Sequence, residues 1–453
     1  MRVPTPRGFF GKGRNIVSVS APGRLDVMGG IADYSGSLVL EMPIRERTLV
    51  YAAARKDGLW RALSLQAASG GLAPIVEART REIATSDKAR KYFQQRPEKS
   101  WAAYVLGSIP LLLAEKNMED CGADLYVESD VPLSKGLSSS ASVEVAAMAA
   151  LGKLFKIRFK NTELPLLCQR VENTIAGAPC GLMDQLTCYL GKKGRLLPIL
   201  CQPDDVGKPV AVPPGVRFIG MDSGVRHWVG GSSYSEVRTA AFMGYSLIAM
   251  REGATLKALK RARDTGEASK LPFGGYLARM NPEKFRSDYS LLLPERMQGK
   301  EFLRLSVSID PVTDIKPDSV YPVLAGSRHP VEENARVVRF QGLLASAGKV
   351  GKKGKRQELL GEMGRLMYQS HASYGACGLG EPVTDALVEA AQNEGPEAGI
   401  YGAKITGGGS GGTVCFLTEG KKGLETVRQI ARQILKARNP FLSLGSSDGG
   451  KWN

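Results

Sequence analysis

Three serines in succession, Ser138, Ser139 and Ser140, follow Gly136 and Leu137 in the stretch SDVPLSKGLSSSASVEVAA at residues 129–147. Placed at the mouth of a helix, such a run is suited to holding phosphate. The first backbone N–H groups of a helix lack an intrahelical acceptor, and the macrodipole adds about half a positive charge there, so an anion is favoured. Gly136 lets the main chain come close, and the hydroxyls add donors or a metal ligand. A serine run by itself is an ordinary helix cap. Two other features stand with this one. A second glycine-rich turn has five glycines in the six positions 407–412, and two acidic residues, Glu172 and Asp184, lie between the turns in sequence. Near the N-terminus Arg24, Asp26 and Asp33 stand among Gly23, Gly29, Gly30 and Gly36, so these charges ride on tight backbone rather than on a solvated helix face.

The elements that must carry these groups follow from hydropathy patterning. Residues 123–128 (ADLYVE) alternate as a half-buried strand does, and residues 141–155 are rich in helix formers, so the serines sit where a strand gives way to a helix. Strands are predicted at 17–20, 38–40 and 48–54, forming an early β region. Residues 101–113 read as a helix with Trp101 and Tyr104 on one face, a pairing more often found in a core than on a ligand platform. A helix over 164–174 carries Glu172; the chain breaks at Gly177, Pro179 and Gly181, and a second helix from Leu182 places Asp184 in its first turn. Continuous helix would hold the two acids far apart along its axis, whereas the Gly-Pro break can fold both toward one cavity. Strands follow at 195–201 and 216–222. Near Gly224 the pattern turns mostly helical (235–262, 331–347, 356–373 and 382–393), with a β stretch at 303–309. Two domains are therefore expected, 1–224 and 225–453. Residues 401–420 read as strand, glycine loop and strand, and 424–436 as an amphipathic helix. A hairpin seldom needs so many glycines, whereas close backbone approach to a bulky ligand does.

Composition narrows the class. The 453 residues are 43% hydrophobic and 23% charged, as in a globular protein. No apolar run approaches the ~20 residues of a membrane helix, so no membrane partner is expected. The seven cysteines are odd in number with no CxxC pair, which suits a reducing, cytoplasmic setting. The net charge of +16 raises the question of nucleic acid. Its densest part, KVGKKGKR at 349–356, has no aromatic residue to stack bases and reads as a solvated loop, and no nucleic-acid-binding module is present. A modest basic excess also suits phosphorylated substrates.

In their order along the chain the motifs resemble the galactokinase branch of the GHMP kinases, small-molecule kinases named after galactokinase, homoserine kinase, mevalonate kinase and phosphomevalonate kinase. PGR…DY at 22–34 is similar to the galactokinase signature, VPLSKGLSSSAS at 131–142 to the phosphate motif, and TGGGSGGT at 406–413 to the third motif. WAAYVLG at 101–107, GAPCGLMDQ at 177–185, VRHWVGGSSYSEVR at 225–238 and GRLMYQSHASY at 364–374 extend the likeness to nearly the whole chain. The resemblance implies an α/β and α+β fold, with an N-terminal half of ribosomal-S5-domain-2-like type, a C-terminal ferredoxin-like half, and the active site between them. It implies phosphoryl transfer from ATP to a sugar's anomeric hydroxyl with Mg²⁺. Asp184 is then similar to the catalytic base and Arg24 to its electrostatic partner, while Ser140 and Glu172 resemble the metal ligands. Gly136, Leu137, Ser138, Ser139 and Ser140 resemble the phosphate turn, with Gly408 and Gly409 of the glycine loop also at the ATP site. Trp101 and Tyr104 fall where the family lines its adenine pocket; Asp33, Gly181 and Tyr234 fall where it holds the sugar. The chemistry of the residue types agrees. Mg²⁺ prefers oxygen ligands, a carboxylate beside an arginine keeps its charge, and phosphoryl transfer depends mostly on positioning and charge stabilisation.

One departure bears on the substrate. Galactokinases carry Glu-His before the Thr-Asp-Tyr of their signature, and the acid holds the sugar's C6 hydroxyl; here Gly30 and Ile31 stand instead. The form GRLDVMGGIADYSG at 23–36 is similar to the L-arabinokinases of that branch, which act on a pentose that matches galactose at C2 to C4 and has no C6. L-Arabinose is therefore the expected acceptor, with galactose the alternative, and Gly30→Glu is expected to narrow the gap between them. A non-catalytic ATP and sugar sensor on the same fold is the reading from another class; the presence of Ser138, Ser139, Ser140, Glu172 and Asp184 together favours the enzyme. A monomer is expected.

Overall fold

The computed structural model describes residues 6–116, 118, 121–202, 204–225, 232–351, 353–436 and 441–452. Residues 226–231 of the motif at 225–238, and Lys352 of the basic loop, lie outside the described residues. Strands β1 (Val17–Met28), β2 (Leu38–Arg55), β3 (Leu59–Ser64), β4 (Ile75–Arg79) and β5 (Gly122–Ser129) form the first sheet in the order β1-β2-β5-β3-β4, and β6 (Arg195–Leu200) joins β2. Neighbours run antiparallel except β3 and β5, which are parallel. The two strands expected at 38–40 and 48–54 are one continuous strand. Pro43 is accommodated in it because its partner is Arg24, beside a register shift between Pro22 and Arg24, where a ladder hydrogen bond is already interrupted.

Helix α1 (Ser139–Leu154) lies against β1 and β2. It is buried almost all round, and Ala146, Ala147, Ala149 and Ala150 keep it slim enough to approach the sheet. Ser142 pins its first turn, donating to Ala21 O at 2.8 Å and lying 2.9 Å from the Thr48 hydroxyl. Helices α2 (Glu163–Val171) and α3 (Met183–Leu190) pack on α1.

A second sheet has the order β8-β9-β7-β10, from β7 (Val216–Asp222), β8 (Ile400–Ile405), β9 (Thr413–Glu419) and β10 (Leu442–Ser443). The change of sheet thus falls before Val216, upstream of the Gly224 boundary expected from sequence. Helices α4 (Ser232–Arg251), α5 (Val323–Ala347), α6 (Lys353–Ala376), α7 (Pro382–Glu394) and α8 (Gly420–Leu435) accompany it. Leu25, Met42, Phe218, Val337, Phe340, Met363 and Leu417 share one apolar cluster, so the two sheets and helices α5 and α6 are packed around a common core.

Two expectations from sequence are corrected. The β stretch at 303–309 is no strand: Gly299–Leu305 is a helix, opened by a capping box in which Glu301 accepts from the Gln298 N–H. Its alternation misled because Leu303 and Leu305 are exposed at 47% and 54%, not core residues. The helix expected at 235–262 is broken at Gly253 into α4 and Leu256–Thr265, the latter capped by the Thr255 hydroxyl.

Candidate active site

Arg24 leaves β1 at the irregular point of the β1–β2 ladder, where a bulge re-aims side chains. Its guanidinium is almost fully buried. Nε and Nη2 each lie 2.8 Å from Asp184 Oδ1, and Nη1 donates to Gly136 O at 2.6 Å. Burial works against its charge, but Asp184, then Glu41 and Asp26, outweigh it and push its pKa up. Asp184 stands in the first turn of α3 and keeps about 20% of its side chain exposed, so it faces an opening rather than the core.

The turn 172–176 brings Glu172 to the same place. The chain widens there to a π-helical turn that ends on Gly177 in the left-handed region (φ 75°), and the break lets α3 fold back beside it. Glu172 Oε2 accepts from Gln185 Nε2 at 2.7 Å, and Gln185 Nε2 also lies 3.2 Å from Glu144 Oε2 on α1. Burial, then Asp184, push the Glu172 carboxyl up to about 7, with the Ser140 hydroxyl pulling the other way. Burial, then Glu172, push Glu144 up as well. Ser138 caps α1 in the left-handed conformation (φ 56°), a strained setting for a non-glycine residue, and its buried Oγ has no hydrogen-bond partner among the described residues. The glycine loop lies directly across from it. Thr413 Oγ1 donates to Lys135 O at 2.7 Å, and Lys135 Nζ pairs with Asp222 Oδ1 at 3.0 Å. Gly408 and Gly409 are part of this loop, which is held from behind where Ser410 N–H donates to Leu379 O at 2.7 Å.

Asp33 is held in the 3-10 turn Gly30–Ser35, where its Oδ1 accepts from Tyr34 N–H at 2.6 Å. Burial, then Asp184, raise its carboxyl to about 7. Gly181 is required beside it, since a Cβ there would overlap the Asp33 carboxylate. Tyr234 meets Tyr34 edge to face at 5.9 Å, and burial, then Asp33, push its phenol well up. Arg238 backs this side, bound to Asp310 by two 2.9 Å hydrogen bonds. Asp33, Gly181, Asp184 and Arg24 are thus brought together with Glu172 and the serine turn. Trp101 Nε1–H donates to Ala73 O at 2.7 Å, while the Tyr104 phenol is buried near Glu172 and Glu144.

Gly30 has φ +43°, and a side chain there would overlap the Tyr374 hydroxyl and come 2.8 Å from Asp26 Oδ2. Tyr374 Oη accepts from Ile31 N–H at 3.0 Å and donates to Gly407 O at 2.9 Å, joining the Asp33 turn to the glycine loop. The space beyond Gly30 is therefore filled, and Gly30→Glu would break this link instead of restoring a contact. Glu41 and Lys404 lie outside the sequence motifs, whereas Glu144, Gln185 and Tyr374 lie inside stretches that the motifs mark for other positions.

Among the described residues no cluster of three or more His, Cys, Asp or Glu is arranged to hold a metal ion. The Glu172 carboxylate with the adjacent Ser140 hydroxyl is instead a partial oxygen set, of the kind that suits Mg²⁺ when phosphate oxygens and water complete it. The unpartnered Ser138 hydroxyl, at a helix N-terminus, is a donor of the kind a phosphate oxygen would satisfy.

A strained helix N-terminus facing a glycine loop, with a buried arginine paired to an aspartate at its edge, is an arrangement suited to phosphoryl transfer. Comparison with known proteins agrees. Residues 103–192 match the GHMP kinases N terminal domain, 356–438 the GHMP kinases C terminal domain, and 7–54 the galactokinase galactose-binding signature. An L-arabinokinase of Arabidopsis thaliana is 40% identical over 98% of this chain, which spans 47% of that protein's length. A galactokinase of Chloroflexus aggregans is 31% identical over 91% of this chain and 86% of its own. In fold, a Lactococcus lactis galactokinase crystallised with galactose superposes with TM-score 0.75 at 22% identity, over 99% of this chain and 97% of that one. A mevalonate kinase gives 0.53 at 15% identity, covering 95% and 100%. The chain belongs to the GHMP kinase family, among its sugar kinases of galactokinase and arabinokinase type. No helix among the described residues is long and apolar enough to cross a membrane.

Proposed function

We propose that the protein is an ATP-dependent sugar 1-kinase that converts L-arabinose and ATP to L-arabinose 1-phosphate and ADP. The observation that carries the reading is the 2.8 Å pairing of Arg24 with Asp184, between the serine turn and Asp33. Asp184 accepts the proton of the anomeric hydroxyl, and Arg24 holds that carboxylate in place and offsets charge on the transferring group. Gly136, Leu137, Ser138, Ser139 and Ser140, with Gly408 and Gly409, bind the ATP phosphates, and Trp101 and Tyr104 border the adenine. Ser140 and Glu172 would hold Mg²⁺, which neutralises phosphate charge when bound. Asp33, Gly181 and Tyr234 hold the hydroxyls at C2 to C4. The N-terminal and C-terminal kinase domains are assigned to 1–224 and 225–453, with β7 of the first standing between β9 and β10 in the second sheet.

L-Arabinose is favoured because neither Gly30 nor Ile31 offers a partner to a C6 hydroxyl, and Tyr374 fills the space behind Gly30. An unsatisfied buried hydroxyl costs about 1–3 kcal/mol, roughly ten- to a hundredfold in specificity. The 40% identity to an L-arabinokinase supports the same choice. The test is a panel of aldoses with Mg-ATP, following ADP release and locating the phosphate by ³¹P NMR. Phosphate on the anomeric oxygen is expected, and no turnover with any sugar of galacto configuration at C2 to C4 would overturn the proposal.

A further inference from the structure

Beside Arg24 lies a second carboxyl that the motifs do not include. Glu41 is fully buried on β2, and in the antiparallel register its direct partner on β1 is Asp26. Its Oε2 stands 3.3 Å from Arg24 Nε, whose hydrogen is directed at Asp184; no N–H group among the described residues donates to either Glu41 oxygen, and its polar neighbour is the Asp26 carboxyl, to which a shared proton would join it. Asp26, by contrast, is well held. Its Oδ2 takes the fully buried Lys404 ammonium at 2.8 Å and Gly407 N–H at 3.2 Å, and its Oδ1 takes Gly30 N–H at 3.1 Å. A continuous buried chain therefore runs from Lys404 on β8 through Asp26 and Glu41 to Arg24 and Asp184.

We propose that Glu41 is a positioning residue for Arg24, a neutral carboxylic acid wedged between Asp26 and the guanidinium that sets its direction toward Asp184. The inference rests on reading Arg24 and Asp184 as the reacting pair. Charge balance supports the neutral state: the fully buried Asp26 and Glu41 and the partly exposed Asp184 share two buried cations, Lys404 and Arg24, so a neutral Glu41 leaves the chain balanced. Lys404 keeps Asp26 below its ordinary value against the effect of burial, whereas burial, then Asp26, push Glu41 well up. A neutral acid fills the space and turns a polar oxygen to Nε without drawing the guanidinium's charge away from Asp184. An ionised group at the same place would compete with Asp184 for it.

The test compares Glu41→Gln with Glu41→Met, both close to the native volume. Replacing a buried acid by Met leaves no unpaired polar group on that side chain, so both variants are expected to fold. Glu41→Gln should keep kcat within about threefold. Glu41→Met should lower kcat tenfold or more with KM for sugar and for ATP within about threefold, since Arg24 loses its aim while the binding residues stay. A purely structural role would move the melting temperature and leave turnover of the folded protein alone. Near-normal kcat in Glu41→Met, or equal losses in both variants, would overturn the proposal. Asp184→Asn is measured alongside: if it stays active, the reacting-pair reading fails, and if it is inactive while Glu41→Met turns over normally, only the role of Glu41 falls.

Discussion

Replacing Gly30 by alanine should destabilise the protein and weaken both halves of its site at once. Gly30 holds φ +43°, which costs an L-residue roughly 1–2 kcal/mol. The new Cβ would overlap the Tyr374 hydroxyl, whose two hydrogen bonds, to Ile31 N–H at 3.0 Å and Gly407 O at 2.9 Å, contribute about 0.5–1.5 kcal/mol each. Together these predict a loss of about 2–5 kcal/mol. Urea unfolding of Gly30→Ala, Tyr374→Phe and the double variant measures it. Tyr374→Phe removes the obstructing oxygen along with both hydrogen bonds, so the alanine should cost less in that background than in the native one, by about 1–3 kcal/mol. Because the hydroxyl joins the Asp33 turn to the glycine loop, KM for sugar and KM for ATP should rise together in either single variant. Strictly additive losses, or a Gly30→Ala protein as stable as the native one, would refute the link. Gly30→Glu is then expected to lose activity toward both sugars rather than to gain galactose.

Asp184→Asn should bind sugar and ATP within a few fold of the native protein, while turnover falls by about a hundredfold or more, read by calorimetry beside a coupled ADP assay. Ser140→Ala and Glu172→Ala should each raise the Mg²⁺ concentration needed for half-maximal rate and recover in part at high Mg²⁺; full activity in excess chelator would remove the metal from the scheme. Asp33, raised to about 7 by burial and Asp184, adds stability that is complete at acid pH, below its unfolded value, and is lost as pH rises through the folded one. In the ligand-free protein Asp33→Asn should therefore gain on the native chain by about 2 kcal/mol between pH 5.5 and 8.5, measured by urea unfolding; a gain in the opposite direction would contradict the assigned burial of charge.

What the sequence made legible is what depends on neighbours in the chain. The strand, turn and helix around Ser138 follow from alternation, glycine and alanine, and the Gly-Pro break after Glu172 does bring Asp184 back beside it. The tethers behind these groups were not legible because they join distant positions. Lys404 and Asp26 are 378 residues apart, and Tyr374 reaches Ile31 across 343, so no local pattern marks them. Glu41 was hidden differently: it sits in an apolar strand whose partner, Asp26, is known only once the β1–β2 register is known. Gly30 shows how an absence is misread. The missing acid suggests that Gly30→Glu would restore its contact, but whether a side chain fits at Gly30 depends on α6, and Tyr374 from α6 fills the place.

The ratio of kcat/KM for L-arabinose to that for D-galactose, measured with Mg-ATP on one preparation, decides whether the proposed sugar 1-kinase prefers the pentose. A ratio of roughly ten to a hundred in favour of L-arabinose is expected from the cost of burying an unpaired C6 hydroxyl. A preference for D-galactose would contradict the arabinose assignment.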